Sequence, residues 1–342
     1  MKINGIPTRS ISLSPDGWSV RILDQRKLPH EVMWVELKTV EEAATAIAEM
    51  WTRGAPLLSL TAAYGMCLAL RKDASDASLS HAYETLLATR PTAVNLRWAL
   101  DQMREAVAPV PVELRASAAY ERADALCEED IALNRAIGEH GLKLLKEIAE
   151  KKPKGEPLNI LTHCNAGWIA TVDYGTALAP IYLAHDASIP VHVWVDETRP
   201  RNQGALTAWE LAQHGVSHTV IVDNAGGLLM RQGRVDLCIV GADRVTKSGD
   251  VCNKIGTYLK ALAAKDNGVP FYVAVPYTTF DHTIDNGDAI PIEQREAKEV
   301  LEIGGHALYA PGTPVVNPAF DVTPARLVTG YITERGIQPG AA

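Results

Sequence analysis

Two short apolar runs in this chain each open onto a residue able to move a proton. Leu158–Thr162 reads Leu-Asn-Ile-Leu-Thr and leads into His163-Cys164-Asn165-Ala166-Gly167, while Leu237–Val240 reads Leu-Cys-Ile-Val and leads into Gly241-Ala242-Asp243-Arg244. Short apolar runs that end in turn signals predict buried strands. In open α/β sheets the ligand crevice lies beyond the carboxyl ends of such strands, so a thiol and a carboxylate there suit general acid–base chemistry. A helix expected to begin near Trp168 places Cys164 at its amino terminus, where the dipole and free N–H groups favour the thiolate. Asp243 ends an apolar strand, and a carboxyl group in a dry pocket has a raised pKa and can act as a general acid near neutral pH. The plainer readings are a Cys that is a small buried apolar residue, which suits Cys67, Cys127 and Cys238, and an Asp that caps a turn or pairs with Arg244.

Anion-binding features accompany this pair. Arg53-Gly54-Ala55-Pro56 precedes an apolar run, and Pro at a helix start with Gly ahead of it lets a ligand approach free N–H groups beside a guanidinium. Arg90-Pro91-Thr92 repeats the idea, with Thr92 as the expected N-cap of a helix carrying Asn95, Arg97 and Trp98. Asn253-Lys254 follows the turn Ser248-Gly249-Asp250 and is expected at a helix start, offering an amide and a point charge to a sugar phosphate. The polar stretch from Glu197 to Gly204, which includes Gln203, follows the expected strand over 191–195 and sits where strand-end loops face ligands. Ordinary helix starts, surface side chains and solvated ion pairs use the same residue types. His214 and His218 have the spacing of helical zinc ligands, but Gly215 ends the helix between them, so no metal site is indicated.

The elements that must hold these groups fall in two blocks. Short β-like pieces, among them residues 19–23, occupy the first 35 residues. Helices are expected over 40–51, 56–71, 93–106 and 112–150. Lys151-Lys152-Pro153-Lys154-Gly155-Glu156-Pro157 reads as a linker. After it, expected strands at 158–162, 191–195, 219–222, 237–240 and 271–275 alternate with helical lengths, the rhythm of a parallel sheet. The expectation is therefore an α/β protein: a small, mainly helical domain over 1–150 with short β elements, then a Rossmann-like parallel-sheet domain over 151–342. The last seven residues read as a frayed tail.

Composition narrows the function. With 342 residues and 47% hydrophobic content the chain has enough apolar material for both cores. Its net charge of −8 argues against a broad nucleic-acid surface. Five scattered cysteines without a Cys-x-x-Cys pair indicate neither a disulfide framework nor a zinc ribbon, and point to a reducing cytoplasm. No signal-peptide core or membrane span is apparent. No Gly-x-Gly-x-x-Gly turn or Walker loop follows a strand, so a nucleotide cofactor is not expected.

Taken together, Arg53-Gly54-Ala55-Pro56, Arg90-Pro91-Thr92-Ala93-Val94-Asn95-Leu96, Thr162-His163-Cys164-Asn165, Glu197-Thr198-Arg199-Pro200-Arg201 with Gln203-Gly204, Gly241-Ala242-Asp243-Arg244 and the stretch from Gly249 to Tyr258 resemble the methylthioribose-1-phosphate isomerases. The resemblance continues through Asp288–Glu293 and Asn317–Pro324, so it spans nearly the whole chain. It implies an aldose–ketose isomerase of methionine salvage and a homodimer, without a nucleotide cofactor. It also implies Cys164 and Asp243 as catalytic groups. Arg53, Gly54, Ala55, Arg90, Gln203, Asn253 and Lys254 are implied as substrate-binding residues. The same fold serves regulatory subunits of the eukaryotic translation initiation factor exchange complex, which act by binding; the enzyme pattern needs the Cys and Asp that this chain keeps. Where the enzymes usually continue Arg-Gly-Ala-Pro with Ala-Ile-Gly, this chain has Leu57-Leu58-Ser59, a change of volume beside the implied phosphate site. 5-Deoxyribose 1-phosphate and ribose 1,5-bisphosphate are the alternative substrates, and a non-catalytic sensor is the alternative class.

Overall fold

In the computed structural model, which describes residues 1–90 and 94–340, the chain divides into two units. One comprises Met1–Arg135 with Gly167–Gly175, the other Ala136–Ala166 with Thr176–Ala342.

The first unit opens with a small hairpin, β1 (Lys2–Ile3) and β2 (Ile6–Pro7), and an antiparallel sheet of β3 (Ile11–Leu13), β4 (Val20–Asp24) and β5 (Met33–Leu37). Helix α1 (Val40–Ala48) starts at Thr39, whose side chain takes the Glu42 N–H while Glu42 reaches back to the Thr39 N–H. That reciprocal box satisfies two amides the helix cannot bond internally. α2 (Ala55–Lys72) is buried from Leu57 to Leu70 and apolar on every side, as a central helix must be. Each fully buried Leu there contributes roughly 1.5–3 kcal/mol of transfer free energy. α3 (Asp76–Thr89), capped by Ser75, is a helix the sequence pattern did not announce. It fully buries only Leu79, Ala82 and Leu86, with Tyr83 and Leu87 partly buried against the same core. α4 (Val94–Val107) matches the third expected helix; its start at Ala93 and the Thr92 cap lie outside the described residues. α5 (Arg115–Ala149) buries Ala119, Ala123, Leu126 and Cys127 at helical spacing in the core of this unit, and its last fourteen residues belong to the second. In that second stretch Gly141 lies against Pro180, where a Cβ would meet the proline Cβ at 2.6 Å.

The second unit is the expected βα alternation with additions. In chain order it contains β6 (Leu158–Thr162), α6 (Ala179–Asp186), β7 (Val191–Asp196), α7 (Gln203–His214), β8 (Ser217–Ile221), α8 (Gly226–Arg231) and β9 (Leu237–Val240). There follow β10 (Arg244–Thr246), β11 (Val251–Lys254), α9 (Thr257–Asp266), β12 (Phe271–Ala274) and β13 (Phe280–Asp281). The last are α10 (Lys298–Leu301), β14 (Glu302–Ile303), β15 (His306–Ala307), β16 (Phe320–Thr323), β17 (Gly330–Thr333) and β18 (Gly336–Pro339). The main sheet has the order β18-β17-β12-β9-β6-β7-β8, parallel except for β18. β9 is buried at every position, as strands covered on both faces are. Of the supposed frayed tail, Gly336–Pro339 is instead strand β18, antiparallel to the fully buried β17 from Gly336 opposite Thr333 to Pro339 opposite Gly330, while Ala341 and Ala342 lie outside the described residues. A second sheet, β13-β10-β11-β16, was not expected. Among the described residues no helix is long and apolar enough to cross a membrane.

Candidate active site

The carboxyl ends of three neighbouring strands, β9, β6 and β7, carry candidate groups in the second unit. Cys164 comes two residues after β6 in a left-handed conformation, φ +70°. Its carbonyl accepts the Thr207 hydroxyl at 2.7 Å, and Asn165 Nδ2 donates to Thr207 Oγ1 at 3.1 Å and Glu210 Oε1 at 2.7 Å. Tyr182 donates to the other oxygen of Glu210. These bonds fix the turn that presents the thiol. The turn after β9 packs directly on it, because a Cβ at Gly241 would stand 2.8 Å from the Ala166 Cβ.

Two expectations about this pair are corrected. After Cys164 comes only a three-residue 3-10 turn, Trp168–Ala170, and the next α-helix in the chain begins at Ala179, so the helix expected to start near Trp168 is not there. Asp243 is exposed in this chain, not enclosed by a dry pocket. Its N–H donates to the Cys252 carbonyl at 2.9 Å, which starts the β10–β11 pairing.

Cys164 is nonetheless distinct among the five cysteines, being half-exposed where the other four are buried. Burial pushes the Cys252 thiol up to about 12, with the Asp243 charge adding to it. Burial raises Cys127 to about 12 as well, against a lowering hydrogen bond with Tyr64. Cys67 and Cys238 are pushed well above the ordinary thiol range by the same desolvation.

Asn253 and Lys254 close strand β11, not a helix start; α9 begins three residues later, at Thr257. Asn253 Nδ2 donates to Thr257 Oγ1 at 3.0 Å, and Lys254 Nζ donates to the Ala319 carbonyl at 3.0 Å and lies 4.5 Å from the Phe320 ring centroid. Lys254 and Gln203 line one small cleft together with Thr198, Arg201, Arg295, Glu299 and Asn317. Gln203 is buried and its Oε1 accepts the Thr198 hydroxyl at 3.1 Å. Glu299 pairs with both Arg201 and Arg295. Burial pushes the Glu299 carboxyl up, but the hydrogen bond from Arg295 and the charges of both arginines outweigh it, so it is held below its ordinary value. Arg295 and Glu299 escaped the sequence reading; their signal was an i,i+4 charge pair, which is common on exposed helices.

Arg53, Gly54, Ala55 and Arg90 belong to the first unit. Gly54 is the N-cap of α2 with φ +89°, Ala55 its first residue, and Pro56 lies in the first turn, the arrangement the sequence indicated. Arg90 caps the carboxyl end of α3. Leu57, Leu58 and Ser59 are buried in the helical core of that unit.

This fold and strand-end arrangement define a class. Residues 51–340 match the Initiation factor 2 subunit family, and the chain belongs to that family. Among curated proteins it is 61% identical to the methylthioribose-1-phosphate isomerases of Rhizobium meliloti and Brucella anthropi, each match covering 98% of this chain and 96% of the relative. Among solved structures it is similar to 5-methylthioribose 1-phosphate isomerase from Pyrococcus horikoshii OT3, with TM-score 0.87, 40% identity, and coverage of 97% of this chain and 92% of that one. It is also similar to the structure titled translation initiation factor eIF-2B, subunit delta, from A. fulgidus, with TM-score 0.84, 39% identity and coverage of 97% and 96%.

Proposed function

We propose that this protein is an aldose–ketose isomerase that converts S-methyl-5-thio-α-D-ribose 1-phosphate to S-methyl-5-thio-D-ribulose 1-phosphate in methionine salvage. The observation that carries this reading is the 61% identity, over 98% of the chain, to enzymes of that name. The chain's retention of Cys164 and Asp243 at adjacent strand ends supports it. The enzyme acts in the cytoplasm as a homodimer, on a small sugar phosphate and without a nucleotide cofactor.

The chemistry needs a group at each end of the reacting carbons, because phosphate on O1 masks the aldehyde. Asp243, protonated, gives its hydrogen to the ring oxygen as the C1–O4 bond breaks. Cys164, as thiolate, takes the hydrogen from C2, leaving an enol phosphate with a C1–C2 double bond. The Cys164 thiol then returns a hydrogen to C1 while the Asp243 carboxylate takes the O2 proton, and the C2 ketone forms. Both groups end in their starting states, so no co-reactant is consumed. Asp243 is exposed in the chain alone, so its role as acid requires the bound sugar to displace water from it. Lys254 holds the phosphate, and Gln203 and Asn253 take sugar hydroxyls; for Arg53, Gly54, Ala55 and Arg90 the substrate-binding role is the one the resemblance implies. Holding the phosphate fixes the reacting carbons.

The test is ketose formation followed by NMR with methylthioribose 1-phosphate, 5-deoxyribose 1-phosphate and ribose 1,5-bisphosphate. The methylthio sugar should give the highest kcat/KM, and Cys164→Ser and Asp243→Asn should each lower kcat about 10²–10⁴-fold with the fold intact. Wild-type turnover by both variants would falsify the assignment of roles. No turnover of any sugar by the native protein favours the second reading, a binding subunit, whose support is the 39% identity to the eIF-2B delta structure.

A further inference from the structure

His163 is 1% exposed, and both of its ring nitrogens are engaged. Nε2 lies 2.8 Å from the Ile255 carbonyl oxygen, which can only accept, so Nε2 carries a hydrogen. Nδ1 lies 3.0 Å from Asp196 Oδ2. The same oxygen is 3.1 Å from Lys260 Nζ, which also donates to the Asp223 carbonyl. Asp196 and Lys260 are buried as well. The ring rests on Gly256, φ +101°, where a Cβ would come within 2.9 Å of His163 Cε1. Asp321 grips the same turn, accepting the Gly256 N–H at 2.7 Å and the Tyr258 N–H at 3.1 Å.

The covalent neighbours of these groups give the arrangement its meaning. His163 directly precedes Cys164, and Ile255 directly follows Lys254. One buried side chain therefore ties the loop that carries the thiol to the strand end that carries Asn253 and Lys254. The carboxyl end of β7, through Asp196, holds the ring itself, and α9, through Lys260, holds Asp196.

We propose that His163 is a positioning residue for the isomerisation: its Nε2–H bond to the Ile255 carbonyl sets the separation of Cys164 from the Asn253–Lys254 pair. This rests on the reading of Cys164 and Lys254 as site residues. Phosphate held at Lys254 then delivers C2 to the thiol at reacting distance, where an error near 1 Å costs about 10²-fold in rate.

Two shorter amides separate the two ring bonds. His163→Asn puts a nitrogen where Nδ1 stood and keeps the bond to Asp196; His163→Gln extends one atom further, to where Nε2 met Ile255. At matched Tm, His163→Asn should lose about 10²-fold in kcat with a smaller change in KM, and His163→Gln should stay within about tenfold of wild type. A contribution to folding alone would lower Tm in both and would not order them this way. Wild-type kcat in His163→Asn, or equal losses in the two variants at matched Tm, overturns the proposal. If His163→Asn does not fold, Asp321→Asn loosens the same turn from the other side; an unchanged kcat there overturns it equally. Cys164→Ser and Lys254→Met are assayed alongside. Full turnover in Cys164→Ser sinks the site reading itself, whereas an inactive Cys164→Ser beside a fully active His163→Asn sinks only the positioning role.

Discussion

Gly54 lies so close to Ala170 that a β-carbon on it would stand 2.6 Å from the Ala170 β-carbon. The glycine also has φ +89°, which L side chains rarely adopt. The segment it touches, Gly167–Gly175, follows the Cys164 loop and is held within the same unit by Gln25 Nε2 on the Ile169 carbonyl and by Ser10 on the Thr171 carbonyl. Gly54→Ala therefore meets backbone strain and a contact that does not yield. It should destabilise the protein by about 2–4 kcal/mol, read from the urea midpoint. A midpoint equal to wild type would show that residues 167–175 move away freely.

Thiol reactivity should be confined to one residue. Four cysteines are buried, with Cys127 and Cys252 raised to about 12 by that burial. Reaction requires the thiolate, so iodoacetamide should label the native protein once, at Cys164, with activity falling in step. Peptide mapping by mass spectrometry checks this. Labelling at Cys252 before Cys164 would contradict the burial on which the selection rests.

Asp130 gives the fold a pH dependence. Burial pushes its carboxyl up to about 7 from 3.8, although the Val172 N–H, which donates to Oδ2, and the neighbouring Asn134 side chain pull the other way. Because the folded pKa is raised, the native state binds the extra proton between about pH 4 and 7, and stability falls as pH rises through that window. Above it the loss is constant, on the order of 2–4 kcal/mol. Asp130→Asn keeps an acceptor for Val172 and should flatten the profile between pH 5 and 8. Urea denaturation at four pH values is sufficient, and parallel profiles for the two proteins would reject the assignment to Asp130.

The parts of this protein that were legible in the sequence are those encoded locally. The strands bearing Cys164 and Asp243 are apolar runs bounded by turns, and α2 announces itself by its Gly-Ala-Pro start. Helix α3 was missed because only three of its residues are fully buried, which makes a weak stripe. The placement of Asn253 and Lys254 was misjudged because β11 is short and owes its strand form to pairing with β10 and β16, about seventy residues away in the second case. The His163 ring network left no spacing signal at all, since Asp196, Ile255 and Lys260 come from three separate elements.

That network also makes a stability prediction independent of turnover. Asp196 Oδ2 is shared by His163 and Lys260, while Oδ1 is buried without a hydrogen-bond partner among the described residues. A buried carboxylate in that position depends on its cationic neighbour, because removing one member of a buried pair leaves a desolvated charge uncompensated. Lys260→Met should cost about 3–5 kcal/mol. Adding Asp196→Asn removes the charge that Lys260 offset and still leaves an acceptor for His163 Nδ1. The double variant should therefore be more stable than Lys260→Met alone, with a coupling of about 1–3 kcal/mol in a urea double-mutant cycle. Strictly additive losses would mean that His163 alone sustains the Asp196 charge and that the Lys260 contact contributes nothing to it.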